Sequence, residues 1–201
     1  AEVPGVILPG LFEASGVMLG VQKSYFPKYV DIEPGCVLLG LASSGFHCNG
    51  LSIVNKLLDE EGISLSTRPV DGGKKNWHQL LFEPTRMYVK SCLQARKSWC
   101  GYSVLALVPI TGGGFIDNVP RVLPESCAAV FDTPLPIAPY MQQIAELGNM
   151  TPHQIRKTFN CGIGMVVVVN SVYPDQIKEE FEQHGETVFR LGKIVERTGD
   201  E

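Results

Sequence analysis

Three consecutive segments, CVLLGLA (36–42), SSGFHCNG (43–50) and LSIVNKLLDEEG (51–62), decide the fold. The first is a near-continuous apolar run of strand length, the pattern of a strand buried on both faces. The second is small, polar and glycine-containing, and reads as a loop. In the third, Leu51, Val54 and Leu58 fall on one helical stripe, with Ile53 and Leu57 beside them. Gly62 stands where a left-handed helix cap is usual. A buried strand, a polar loop and an amphipathic helix in that order form the repeating unit of an α/β domain.

The same grammar continues outward. Residues 1–30 are punctuated by Pro and Gly, and only Val17–Val21 reads as a strand there. Asp31–Gly35 is a Pro-Gly turn. Thr67–Asn76 is a polar loop, and Thr85–Lys97 is a helix after Pro84. Ser103–Val108 is a second apolar strand that runs into Thr111-Gly112-Gly113-Gly114. A short helical turn surrounds Pro120, and Ala128–Phe131 reads as a strand. Pro139–Leu147 is an amphipathic helix. Thr151, Pro152 and Gln154 make a capping-box start for another. Met165–Val169 is a third buried strand. Pro174–Gln183 is a charged helix stopping at Gly185, and Val188–Val195 is a final strand. This alternation predicts an α/β domain of α+β type, a mixed sheet covered by helices.

The 201 residues, 44% of them hydrophobic, suit one large domain or one domain plus part of another. The formal net charge is −4, with the cations scattered in pairs such as Lys74-Lys75. A basic stripe is the footprint of nucleic-acid binding, and its absence argues against such a partner. No apolar run approaches the roughly 20 residues that span a bilayer, which argues against a membrane. The six cysteines show neither C-x-x-C pairing nor zinc spacing, and they suit a reducing compartment. No Met opens the chain, which points to a start within a longer protein.

Chemistry is expected at strand-to-glycine junctions. Ser43–Gly50 leaves a buried strand and opens a helix, where backbone N–H groups and partial positive charge gather. Ser43, Ser44, His47 and Asn49 add side-chain donors. An ordinary N-cap turn explains the same residues. Thr111–Gly114 lets a backbone approach a ligand closely and forms an anion-binding concavity. It lacks the Gly-Lys-Ser/Thr ending of a phosphate loop, and a flexible turn is the plainer reading. A third junction, Thr158-Phe159-Asn160-Cys161-Gly162-Ile163-Gly164, joins a helix to a strand. Of the four histidines, His78, His153 and His184 lie at helix surfaces. His47 alone lies in a glycine-flanked loop, where it suits acid–base work near neutral pH.

Read together and in order, the blocks carry a resemblance. GLASSGFHCNG, EPTRMYVK, ITGGGFIDNVPRVLP, GNMTPHQIRKTFNCGIGMVVVV and the opening AEVPG resemble successive motifs of the aminoimidazole ribonucleotide synthetases, or phosphoribosylformylglycinamidine cyclo-ligases. The resemblance covers essentially the whole chain. It implies that residues 1–34 end an N-terminal ATP-binding domain and that 35–201 form the C-terminal α/β domain. It implies an ATP-dependent closure of formylglycinamidine ribonucleotide to aminoimidazole ribonucleotide in purine biosynthesis, by a cytoplasmic homodimer. ATP and Mg2+ are the implied cofactors, with the metal ligands in an N-terminal half outside this sequence. No metal ligand is expected within the chain, which alone should not be catalytic.

The resemblance also assigns residues. His47 and Asn49 orient substrate or transfer protons. Ser43, Ser44 and Asn160 join the substrate or ATP contacts. Thr111, Gly112, Gly113 and Gly114 form a backbone cradle. Asn118 and Arg121 order that loop or bind phosphate. Arg86 is a structural or anion contact, and Glu2 approaches the nucleotide from the first domain.

Departures temper the match. Pro109 stands where the family has His before ITGGG, and Asn55 stands where it has Arg. Cys48 replaces Ser, and Glu13 replaces Asp. These losses open a reading of another class: a non-catalytic, duplicated or decayed copy, kept as a structural or dimerising segment of a multifunctional purine protein. Another enzyme of the same superfamily, such as a selenophosphate synthetase or thiamine-phosphate kinase, is a third reading, disfavoured by the EPTR and TFNCGIG blocks.

Overall fold

The computed structural model describes residues 16–21, 31–70 and 73–198. Five strands form one sheet in the order β2-β4-β1-β5-β3. They are β1 (Val37–Ala42), β2 (Val104–Pro109), β3 (Cys127–Phe131), β4 (Ile163–Val169) and β5 (Val188–Glu196). Seven helices accompany them among the described residues: α1 (Leu51–Glu60), α2 (Trp77–Leu81), α3 (Val89–Lys97), α4 (Gly114–Asn118), α5 (Pro139–Leu147), α6 (Pro152–Thr158) and α7 (Pro174–Gln183). No helix among the described residues is long and apolar enough to cross a membrane.

The α/β class agrees with the sequence, and within it the sheet is antiparallel throughout. All four ladders are antiparallel. Helical crossovers normally join parallel neighbours. Here β4 inserts between β1 and β2, so those two strands run the same way without touching. By the same pairing logic β1, β2 and β3 share one direction, and β4 and β5 run opposite.

Alternate residues of the apolar strands face two cores, because successive side chains point to opposite sides of a sheet. Val37, Leu39 and Leu41 of β1 and Val167 and Val169 of β4 pack with Cys92 and Ala95 of α3 and Ile177 and Phe181 of α7. Leu38, Val166 and Val168 pack on the other face, with Val54 and Leu58 of α1 and Met141 and Ile144 of α5. Both faces are covered, which is why the strands read as continuous apolar runs.

The local signals recur in the coordinates. Thr151 and Gln154 form the capping box of α6, and Gly62 takes the left-handed cap at φ 64°. The Thr85–Lys97 helix begins later, at Val89, since residues 84–88 cross the sheet end as a strap instead. α2 carries a second capping box, Asn76 with Gln79, and begins where the Thr67–Asn76 loop ends. Val17–Val21 takes no regular secondary structure, and Val17 and Leu19 are almost fully exposed.

Candidate functional site

Strand direction brings the glycine junctions together. β1 and β2 end, and β4 and β5 begin, at the same edge of the sheet, because Ala42 pairs with Ile163, Pro109 with Met165 and Leu41 with Val188. The loops 43–50, 110–114, 159–162 and 184–187 therefore meet at one end.

Buried asparagines lace them. Asn160, fully buried, donates from Nδ2 to the Gly45 and Phe46 carbonyls at 2.8 and 3.1 Å. Its Oδ1 accepts the Gly162 N–H at 3.0 Å. Asn49 donates to the Thr111 carbonyl at 2.6 Å, joining the first loop to the second. Asn118 donates to the carbonyls of Gly112 and Gly114 at 3.1 and 2.8 Å and accepts the Thr111 hydroxyl at 3.1 Å. Arg121 reaches Asn118 Oδ1 at 3.2 Å from an exposed position. Each amide satisfies carbonyls that burial would otherwise strand at a cost of about 1–3 kcal/mol.

Glycine geometry is demanded at two places here. Gly114 has φ 57°, and a Cβ there would lie 2.0 Å from the Arg156 carbonyl oxygen. A Cβ on Gly164 would lie 2.1 Å from the Tyr88 hydroxyl and 2.5 Å from His47 Cε1. Gly164 is thus the floor on which those two rings approach the sheet.

The rings line a pocket of about 220 Å³ with Cys48, Asn49, Thr85, Pro109, Ile110 and Thr111. His47 is 7% exposed and sits at φ 54°, in the left-handed region that side chains rarely adopt. Its Nε2 lies 3.1 Å from the Ser44 N–H and 3.4 Å from the Arg86 N–H. Backbone N–H groups can only donate, so Nε2 carries a lone pair and the proton resides on Nδ1. Burial lowers the pKa of His47 and holds the ring neutral. The Ser44 hydroxyl donates to the Pro84 carbonyl at 2.7 Å, pinning the strap to the loop.

The strap has its own anchor. Arg86 Nε meets Glu186 Oε2 at 2.7 Å, and its NH2 reaches the Gly185 carbonyl at 2.7 Å. Ser91 donates to Glu186 Oε1 at 2.7 Å, and Glu186 is nearly buried. The Arg86 guanidinium is therefore committed to the protein. Tyr88 closes the strap by donating to the Ala42 carbonyl at 2.7 Å. Burial, reinforced by the Glu186 charge, pushes the Tyr88 pKa up.

Of the residues expected from sequence, His47, Asn49 and Thr111 line the pocket. Ser44 braces His47. Ser43 sits 3.4 Å from Asn160 Oδ1, and Asn160 is internal to the loops. Gly112, Gly113, Gly114, Asn118 and Arg121 form the adjoining turn. Glu2 and Glu13 lie outside the described residues. Tyr88, Thr85 and Glu186 were not singled out by sequence. Tyr88 and Thr85 lay in the quoted EPTRMYVK block, and Glu186 had only its place after Gly185. Pro109 is in the pocket wall, whereas Asn55 is on an exposed face of α1.

The sequence profile described as AIR synthase related protein, C-terminal domain, matches residues 33–201. The chain belongs to that family. Solved structures share its fold. E. coli HypE, a hydrogenase maturation protein, aligns at TM-score 0.54 and 21% identity, over 86% of this chain and 48% of that one. Thiamine-monophosphate kinase from Stenotrophomonas maltophilia K279a aligns at TM-score 0.51 and 15% identity, over 84% and 50%. The chain spans about half the length of these proteins. At such identities the likeness is one of fold. The AIR synthase related family thus accounts for the domain that carries the pocket.

Proposed function

We propose that this chain is the substrate-orienting part of an ATP-dependent cyclo-ligase that converts formylglycinamidine ribonucleotide to aminoimidazole ribonucleotide. The observation that carries this reading is the Asn49–Thr111 bond, which unites the SSGFHCNG and TGGG blocks around one pocket. In this reading ATP transfers its terminal phosphoryl group to the formyl oxygen. A substrate nitrogen then bonds to the formyl carbon and gives up its proton to solvent, and the C–O bond breaks as phosphate leaves.

The pocket wall contains no Lys, Arg, Asp or Glu, so it suits the uncharged reacting arm of the substrate rather than a triphosphate. A rigid wall supplies orientation, which lowers the barrier by holding reacting atoms in a near-attack shape. His47 takes part as a neutral ring with Nδ1–H as donor, since Nε2 already accepts backbone N–H groups. The N–H groups of Gly112 and Gly113 donate to no described residue, and they are this reading's donors to substrate oxygen. Arg121, exposed beside Asn118, is its cation for phosphate. Ser43, Ser44, Asn160 and Arg86 act by holding the loops.

Among the described residues, no group of three His, Cys, Asp or Glu side chains is placed to hold a metal ion. In this reading the Mg2+ ligands lie in an N-terminal half outside this sequence. The boundary near residue 34, an ATP-binding domain upstream, a homodimer and a cytoplasmic setting belong to the same proposal.

Pro109 favours a second reading. A ring without a proton to give stands in the pocket wall where the family motif has His. A non-catalytic copy then keeps the fold and not the chemistry.

The test is a cyclisation assay on the longest natural protein containing this chain, with formylglycinamidine ribonucleotide and ATP. Wild-type turnover together with strong losses in His47→Ala and Thr111→Ala is expected. Near-normal cyclisation in both variants would sink the site assignment. No turnover by wild type, with substrate still bound, selects the second reading.

A further inference from the structure

A second concavity, of about 320 Å³, shares no residue with the His47 pocket. Phe115 and Ile116 of α4 line it, with Ala129 and Phe131 of β3, Arg156 of α6 and Arg197 just after β5. The rest of the wall is Val, Pro, Leu and Ala. Phe115 and Phe131 meet edge-on, with centroids 5.3 Å apart and planes at 86°, so the two rings form one continuous aromatic wall. The Arg197 N–H is bonded to the Ser126 carbonyl at 2.9 Å, which holds that residue beside the start of β3.

Neither Arg156 nor Arg197 forms an ion pair with a described residue. Both are exposed at the protein surface, and the other side chains of the wall are hydrocarbon. An apolar cavity with a few convergent polar groups is the usual form of a small-molecule site. The guanidinium fork matches the two oxygens of an oxyanion.

We propose that this concavity binds a small, flat apolar molecule bearing one oxyanion. Its ring lies against the Phe115–Phe131 wall, and its oxyanion meets Arg156 and Arg197. A nucleotide is the wrong occupant. Apart from the two guanidiniums, no lining side chain donates or accepts a hydrogen bond. A purine edge and ribose hydroxyls buried there would be left unpaired, at a cost. The proposal stands on different residues from the cyclo-ligase reading and does not depend on it.

The experiment titrates the isotope-labelled full chain with 2-naphthoate, its uncharged amide 2-naphthamide, and AMP, following backbone amide resonances. Naphthoate is expected to shift the amides of Phe115, Ile116, Ala129 and Phe131. Naphthamide is expected to shift the same set with about tenfold weaker affinity, and AMP to leave it unmoved. The double variant Arg156→Ala/Arg197→Ala should bring naphthoate down to the naphthamide level without changing naphthamide binding. Equal affinities for the two naphthalenes on the wild-type chain overturn the proposal, whether or not the double variant folds. So do shifts confined to other residues, an absence of shifts, or a stronger response of these amides to AMP.

Discussion

The side-chain amide of Asn49 lies 2.6 Å from the carbonyl oxygen of Thr111, 62 residues further along the chain. It converts two separate glycine loops into one wall. Asn118 donates to the same carbonyl at 3.3 Å. Asn49→Ala is therefore expected to cost about 1–2 kcal/mol of stability, because Asn118 and the backbone N–H of Gly114 still donate to that oxygen. Urea denaturation of the variant against wild type measures it, and an unchanged midpoint would show that the loops hold together without this bond.

Within the TGGG turn the glycines differ. Gly114→Ala forces a side chain into the left-handed region and against the Arg156 backbone. A loss of about 3 kcal/mol or more is expected. Gly112→Ala meets nothing within 4 Å and should stay within about 0.5 kcal/mol of wild type. Thermal unfolding of the pair gives the comparison, and equal losses would mean the turn is not built as described.

Arg86 and Glu186 are unequal partners. The Glu186 side chain is 4% exposed and that of Arg86 37%. Removing the arginine strands a buried carboxylate, whereas removing the carboxylate frees an arginine that can reach water. Arg86→Ala is expected to cost about 2–3 kcal/mol, discounted for the exposed arginine, and Glu186→Gln about 1 kcal/mol. Chemical denaturation tests the order, and Glu186→Gln as the costlier change would reverse this account.

His47 carries a pH signature. Burial lowers its folded-state pKa below the ordinary 6.5. The folded state then holds fewer protons than the unfolded chain. The contribution is complete above pH 6.5 and is lost as pH falls toward the folded value. Stability should decline from about pH 6.5 downward, with a shallower slope in His47→Gln. An identical slope in both proteins counts against a neutral buried ring. Imidazole nitrogen resonances should report protonation at Nδ1 alone at pH 7.

The six cysteines divide sharply. Cys48 is exposed and lines the pocket, and the other five are buried. Burial pushes the Cys92 thiol up to about 11 and that of Cys161 up to about 12. Iodoacetamide at neutral pH should label Cys48 alone in the folded chain, since the thiolate is the reactive form. A compound seated in the His47 pocket should slow that labelling. Mass mapping that finds Cys92 or Cys161 labelled first contradicts the burial described here.

Much of the architecture is local and was legible in the residues. The apolar run at 37–42 marks β1, since a strand covered on both faces needs hydrocarbon at every position. The Thr151–Gln154 box marks the start of α6, because capping is a contact over three residues. The junctions around His47 and Thr111 were legible as glycine loops after strands. Their alternatives stayed open, as a loop's partners are not written in its own residues. Strand order was not legible either. Helical crossovers predict parallel neighbours, and only pairing energy over the whole sheet places β4 between β1 and β2.

By itself the sequence determined the five strands and the longer helices, the two-sided core and the family membership of residues 33–201. Those rest on periodicity, capping and residue order, which act over short stretches of chain. The tertiary structure alone decided that four loops share one end of the sheet, that Arg86 is committed to Glu186, and that His47 is held neutral with Nε2 occupied. Each of these draws on contacts between groups 39 or more residues apart, and long-range pairing is fixed only when the sheet closes.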